Sequence, residues 1–266
     1  MTAPSAVRSV TRAVDVLMAL TSGPRSLGRL AEETKLSKTT VHRLLASLSH
    51  HQLIMQDTVT ADYLLGPGSL RLVDALTTGM GGIGILARPV LSRLQAETLE
   101  TVTLHTRFGA QRICVEELPS QLAIRYTAGV GAASPVHTGS AGKVLLAYMD
   151  AGEREHLLDH ADLEALTDAT ITDRATLERE LALVRRRGFA ESHGERVVGG
   201  AAVSAPVWAP TGHILAALSV LGPEGRLKPA KLREIRPSVV EGAREISRRI
   251  AGAQMEQHDK DREKPA

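Results

Sequence analysis

Apolar positions along residues 37–54, "SKTTVHRLLASLSHHQLI", repeat with a helical period. Val41, Leu44, Leu45 and Leu48 fall at i, i+3, i+4 and i+7 and predict one buried stripe, while Lys38, Thr39, His42, Arg43 and Ala46 share the opposite side. Ser37 stands where such a helix needs its N-cap. Upstream, "VRSVTRAVDVLMAL" (7–20) predicts a first helix with Val10, Val14, Leu17 and Leu20 turned inward, stopped by "SGP". Ser26 caps a second, "LGRLAEET", with Leu27, Leu30 and Ala31 inward. Downstream, "LIMQDTVTADYLL" alternates around a polar turn as a small hairpin does, and "GPG" closes the unit at 66–68. Three helices, the last two tightly joined, and a hairpin describe a winged helix-turn-helix over residues 7–68.

The pattern then changes. "SLRLVDALTT" (69–78) predicts an amphipathic helix with Leu70, Val73 and Leu76 or Thr77 on one side and no partner left in the small domain. "GMGGIG" (79–84) reads as a flexible boundary, so 69–84 is assigned as a linker helix and hinge. A helix over 85–100 leads into alternating segments, "TVTLHTR", "RICVEEL", "LAIRYTA" and "PVWAPTGHILAALSV", each predicting strand, the last one a pair around a Pro-Thr-Gly turn. Helical stretches interleave: "GSAGKVLLAYM", "DRATLERELALVRRRG" and "PAKLREIRPSVVEGAREISRRIAG". Residues 85–252 are therefore an α/β domain with a mostly antiparallel sheet, and the chain as a whole is α+β. The charged tail 253–266 is expected to be disordered.

Composition narrows the function. Hydrophobic content of 43% over 266 residues supports a sizeable core. No run of apolar residues is long enough for a membrane span and the N-terminus has no export pattern, so a cytoplasmic protein without a membrane partner is expected. One cysteine, Cys114, excludes an internal disulfide and a multi-cysteine metal site, and its place in a strand reads as core. Net charge is only +2, but Thr34 to Gln56 contains no carboxylate while holding Lys35, Lys38, Arg43 and three histidines. Aromatics at 2% argue against single-strand binding by base stacking. A helix of this width fits the major groove of duplex DNA, and its N-terminal turn offers N–H groups to phosphates. Ser37, Lys38, Thr39, Thr40, His42 and Arg43 are short or cationic where such a helix meets bases and backbone. A merely solvated helix face is the alternative reading of that stripe.

These segments resemble a known family. "LGRLAEETKLSKTTVHRLLASLSHHQLI" is similar to the DNA-binding module of the IclR family of transcriptional regulators, and "GVGAASPVHTGSAGKVLLAYM" and "GFAESHGERVVGGAAVSAPVWAPTGHILAALSVLGPEGR" to two stretches of its effector domain. The resemblance implies a GAF-like effector domain, dimers that pair into tetramers on a double-stranded operator, and control of a metabolic operon by a small organic ligand. It implies effector contacts at Ser140, Ala141, Ser192, Ala202, Ser219 and Leu221. Four positions depart from the family pattern or its common variants: Lys35 replaces a turn glycine, Ser192 a common Asp, Ala202 a common Cys, and Leu221 an occasional Ser. A non-glycine residue in a left-handed turn costs on the order of 1 kcal/mol. The pocket so implied is less acidic and more apolar, suited to an effector with one carboxylate or comparable polar group and a hydrophobic body. Val203 and Leu218 would line or back its wall, and small dicarboxylates fit it less well.

The chemistry that would make the chain an enzyme is thin. "HTGSAGKV" has His137 where a phosphate-binding loop needs Gly, and Val144 in place of its Ser or Thr. His156 and His160 stand at i, i+4 without an obvious third metal ligand, so a solvated helix end is the simpler reading. Ser192 and His193 are adjacent on a strand and point to opposite faces, so with Glu195 they make no triad by themselves. Glu195 keeps an acidic position typical of the family, or else serves a loop salt bridge. Neither cofactor nor metal is called for. The competing reading is a small-molecule enzyme whose N-terminal domain only mediates assembly.

Overall fold

Ser26 and Ser37 start two successive helices by the same device. Each has extended backbone and a side-chain oxygen that accepts from an N–H three residues on, that of Arg29 and Thr40 respectively, satisfying an otherwise open donor of the first turn. The structure, a computed structural model, describes residues 6–79 and 82–262. The chain divides into two compact units, Met1–Gly81 and Gly82–Ala266. In the first, helices α1 (Arg8–Ala19), α2 (Leu27–Thr34) and α3 (Lys38–His50) precede a hairpin of β1 (Ile54–Gln56) and β2 (Tyr63–Leu65). A bridge between Arg25 and Tyr63 adds a third short edge to that hairpin. Helix α4 (Gly68–Gly79) follows, and Ser69 donates from Oγ to the Leu53 carbonyl at 3.0 Å, fixing the helix start to the hairpin base.

Val16, Leu20, Leu30, Ala31, Val41, Leu45, Leu48 and Ile54 form the core of this unit. Helices α2 and α3 thus bury the stripes their periodicity predicts. Helix α1 does not. Val16 is wholly buried, whereas Val10 and Val14 are 60% and 48% exposed. Both sides of α1 carry apolar residues, so spacing could not choose between them; Ala13, Val16, Leu17 and Leu20 make the inward side. Lys35 adopts φ 54° and ψ 35° at the end of α2, so the tight turn stays left-handed without glycine. On α4, Leu70 and Val73 are exposed; the side chains of Leu76 and Thr77, and Met80 and Gly81 of the glycine-rich run, lie outside the described residues.

The second unit opens with α5 (Ile83–Thr98) and builds a six-stranded sheet in the order β5-β4-β3-β8-β7-β6. Its strands are β3 (Thr101–Phe108), β4 (Gln111–Leu118), β5 (Ala133–Pro135), β6 (Ala190–His193), β7 (Gly200–Trp208) and β8 (Ile214–Pro223), every neighbouring pair antiparallel. Helices α6 (Gly139–Ala147), α7 (Ala151–His160) and α8 (Arg174–Arg187) intervene, and α9 (Pro229–Arg262) ends the described chain. Packing of α5 and α9 on one face and of α6, with α8 behind it, on the other explains why β7 and β8 are buried along almost their whole length.

Two expectations fail here. "LAIRYTA" is not a strand: β4 pairs with β5 instead, Ile113 opposite Ala133, while residues 122–128 run as irregular backbone with Ile124 75% exposed. The tail 253–266 is not irregular through its length, because α9 continues to Arg262. Met, Gln, Glu and Lys are good helix formers, and a growing helix adds a hydrogen bond with each residue until a breaker intervenes.

Candidate functional site

Two sets of residues were singled out by the sequence, and each falls together in space. On α3, Ser37, Lys38, Thr39, His42 and Arg43 are exposed, and Thr40 is half-buried. Ser37 and Thr40 also bond each other, oxygen to oxygen at 2.9 Å, so part of their hydrogen-bonding capacity holds the helix start. The ion pairs of this unit lie on α2 and its approach, Arg25 and Arg29 sharing Glu33. Lys38 and Arg43 accordingly have no carboxylate partner among the described residues. The result is a helix whose first turns present backbone N–H groups, hydroxyls and two uncompensated cations on one side.

The second set borders a single recess of the other unit. Ser140 and Ala141 enter it from the start of α6, Ser192 from β6, Ala202 from β7, and Ser219 and Leu221 from β8. Register explains the grouping: Ala202 is opposite Ser192 on one side and Leu221 on the other, and Ser204 is opposite Ser219. Val203 and Leu218 belong to the other face, since a Cβ on Gly242 of α9 would meet Leu218 at 3.2 Å; they back the wall and do not line it. Ser140 Oγ bonds Ser204 Oγ at 2.7 Å, and Ser204 Oγ bonds Ser219 Oγ at 2.6 Å. This buried chain of hydroxyls pins α6 to the sheet and leaves backbone N–H groups as the helix's contribution to the recess.

Glycine is required where α6 begins. Gly139 has φ +71°, and a Cβ on Gly142 would sit 2.0 Å from the Val136 carbonyl oxygen. The N-cap residue Thr138 does not cap α6 with its own side chain. Glu195 instead accepts from the Gly139 N–H at 3.1 Å and from Lys143 Nζ at 2.6 Å, with Lys143 only 3% exposed. The acidic position is thus a buried salt bridge holding the helix start. His193 is exposed and 3.8 Å from Glu224, away from the recess that Ser192 faces. His160 Nδ1 lies 2.8 Å from the His156 carbonyl, and among the described residues no three His, Cys, Asp or Glu gather as metal ligands. Cys114 is buried, and burial first of all pushes its thiol up to about 12.

Sequence reasoning missed the most charged part of the lining. Thr103, His105, Arg112 and Arg196 also border the recess. Arg112 is 5% exposed, donating from Nε to the Thr138 carbonyl at 3.3 Å and approaching His105 Nδ1 with Nη1 at 3.0 Å. Burial, with Arg196 nearby, lowers the Arg112 guanidinium from 12.5 to about 10. Burial, then Arg112 and Arg196, hold His105 well below 6.5, so the ring is neutral and accepts. The signal lay in "QRICVEEL": Arg112 and Cys114 alternate onto the buried side of β4, and an arginine on the inward side of a strand asks for an explanation. The two arginines add positive charge to a lining expected to be less acidic and more apolar, and the argument against small dicarboxylates, made from Ser192 and Leu221, did not count that charge.

Comparison with known proteins agrees with both halves. Residues 9–58 match the family model described as the IclR helix-turn-helix domain, and residues 77–248 match Bacterial transcriptional regulator IclR C-terminal. The HTH-type transcriptional regulator BhcR of Paracoccus denitrificans is 32% identical over 91% of this chain and 86% of its own. The transcriptional repressor IclR of Escherichia coli is 26% identical over 94% of this chain and 93% of its own. A solved IclR homolog of Microbacterium hydrocarbonoxydans, complexed with 4-hydroxybenzoate, superposes with a TM-score of 0.71 at 23% identity, covering 92% of this chain and 99% of that one. With both domains matched in order and nearly the whole length covered, the chain belongs to the IclR family of transcriptional regulators.

Proposed function

We propose that this regulator reads a double-stranded operator with α3 as a two-fold homodimer, and that a small carboxylate-bearing effector bound in the recess changes that binding. DNA binding and control of transcription by a C-terminal effector domain come with the family. The observation that carries the α3 assignment is its exposed side, where Lys38 and Arg43 lie free of carboxylates. Phosphate contacts by such cations set affinity, and bidentate contacts of Arg to guanine set sequence. One winged module spans too few base pairs for useful specificity, which favours a dimer on a pseudo-palindrome, with pairing of dimers into tetramers as a further step. Exposed apolar residues support pairing: Val7, Val10, Val14 and Met18 form a stripe along α1, and Leu70 and Val73 another on α4. Residues 69–84 act in this reading as the linker between the two units.

For the effector, the first turn of α6 supplies N–H donors and Ala202 and Leu221 an apolar wall. The helix end contributes only about 0.3–1 kcal/mol, so affinity rests on several hydrogen bonds and apolar burial together. The relative that holds 4-hydroxybenzoate carries an aromatic carboxylate, a ligand of this chemistry. A gel shift with the DNA upstream of the protein's own gene tests the assignment: a saturable shift that unrelated DNA does not compete supports it, and no shift against an excess of protein contradicts it.

A further inference from the structure

We propose that Arg112 and Arg196, together with the first turn of α6, form an oxyanion subsite, and that the effector presents a carboxylate or phosphate group to it. The inference rests on reading the recess as the effector site and says which end of the ligand is held, and by what. Both arginines border the recess and both flank Gly139, Arg112 with its guanidinium and Arg196 with the base of its side chain: a Cβ there would lie 3.9 Å from Arg112 Nη2 and 3.9 Å from Arg196 Cβ. Arg112 is all but sealed from water at 5% exposure, yet its hydrogen bonds go to a carbonyl and to a neutral imidazole, never to a carboxylate. Arg196 donates from Nη2 to the Thr127 carbonyl at 3.4 Å.

The acidic residues nearby are already engaged. Glu195 holds Lys143 and the Gly139 N–H. Glu117 accepts from the N–H groups of Ala128 and Gly129, the latter at 3.0 Å. Two cations facing one recess without a carboxylate between them repel each other, and burial of an unpaired charge is costly. A neutral side chain could satisfy one carbonyl and one imidazole equally well. What a guanidinium adds is a planar fork matched to an oxyanion, and Nη2 of Arg112 makes no hydrogen bond among the described residues. It lies beside the first turn of α6, so its charge adds to the partial positive charge of the helix start where a ligand's charged end would sit, with Arg196 on the rim of the same recess. The hydrophobic body then extends toward Ala202 and Leu221.

Small oxyanions are the probes. Thermal unfolding of the full chain is followed in sodium chloride, sodium acetate and sodium phosphate at matched ionic strength, for the parent, Arg112→Gln and Arg196→Gln. Saturable stabilisation of the parent by acetate or phosphate over chloride is expected. In each variant the apparent affinity for that anion should fall by about tenfold or more, the loss of one charge-assisted contact. Because Arg112 has no counter-ion in the protein, Arg112→Gln should unfold in chloride no earlier than the parent, an outcome a structural arginine would not give. If Arg112→Gln does not fold, Arg196→Gln carries the test. Whichever anion binds more tightly identifies the carboxylate or the phosphate class. The subsite is overturned if neither anion stabilises the parent beyond chloride, or if the variants respond like the parent. In the second case Ala202→Phe still decides separately whether the recess itself binds the effector.

Discussion

His105 lies between Thr103 Oγ1 at 3.1 Å and Arg112 Nη1 at 3.0 Å, buried and neutral. Its pKa is held well below 6.5, first by burial and then by the two arginines. The unfolded chain takes up a proton near pH 6.5 that the folded chain refuses. Stability is therefore intact above about pH 6.5 and lost as pH falls from there toward the depressed value, at up to roughly 1.4 kcal/mol per pH unit. Urea midpoints should fall more for the parent than for His105→Gln between about pH 7 and about pH 5.5; equal losses contradict a neutral His105. The Lys143–Glu195 pair makes a different prediction. Lys143→Met leaves a buried carboxylate without its cation and should cost about 3–5 kcal/mol in denaturant unfolding, with Lys143→Met/Glu195→Gln milder than the single change. A loss below about 1 kcal/mol would mean that the pair behaves like an exposed one.

Among the elements, α3 is the one on which the proposed DNA readout rests. Arg43→Ala should weaken operator binding by about 1–3 kcal/mol if Arg43 is bidentate to guanine, whereas Lys38→Ala should reduce the slope of affinity against salt by roughly one with sequence preference unchanged. Unaltered operator affinity in a folded Arg43→Ala protein removes α3 from the interface. Ser37→Ala, which deletes the cap, should lower stability by about 1 kcal/mol, and Lys35→Gly should raise it by a similar amount because the left-handed turn no longer strains a side chain. These elements were legible because caps, stripes and turns are local. What was hidden depended on partners. The side of α1 that faces the core is set by what α2 and α3 leave open, and the partner of β4 turned out to be the short β5 and not "LAIRYTA", a choice of pairing that alternation alone does not make. The six pocket positions came from resemblance; Arg112 and His105 did not, since β3 and β4 bring them together through a register shift at Leu104 and His105 that no local pattern shows.

At the scale of the whole molecule, two units share the work: the first matches the family's helix-turn-helix domain and the second its C-terminal domain, and in the proposed reading α3 meets DNA and the recess takes a small anion. Among the described residues no helix is long and apolar enough to cross a membrane. Assembly is tested by light scattering at micromolar concentration, where a dimer or tetramer is expected; a monomer that binds one half-site tightly contradicts the two-fold reading. The central claim is that ligand in the recess changes what α3 does. Its most direct test is the anisotropy of labelled operator DNA, titrated with a metabolite identified by thermal shift, for the parent and Ala202→Phe. The parent should change its operator affinity as the ligand is added, and Ala202→Phe should bind the operator like the ligand-free parent and stay unchanged. A response from Ala202→Phe at the same ligand concentration would place the effector somewhere other than this recess.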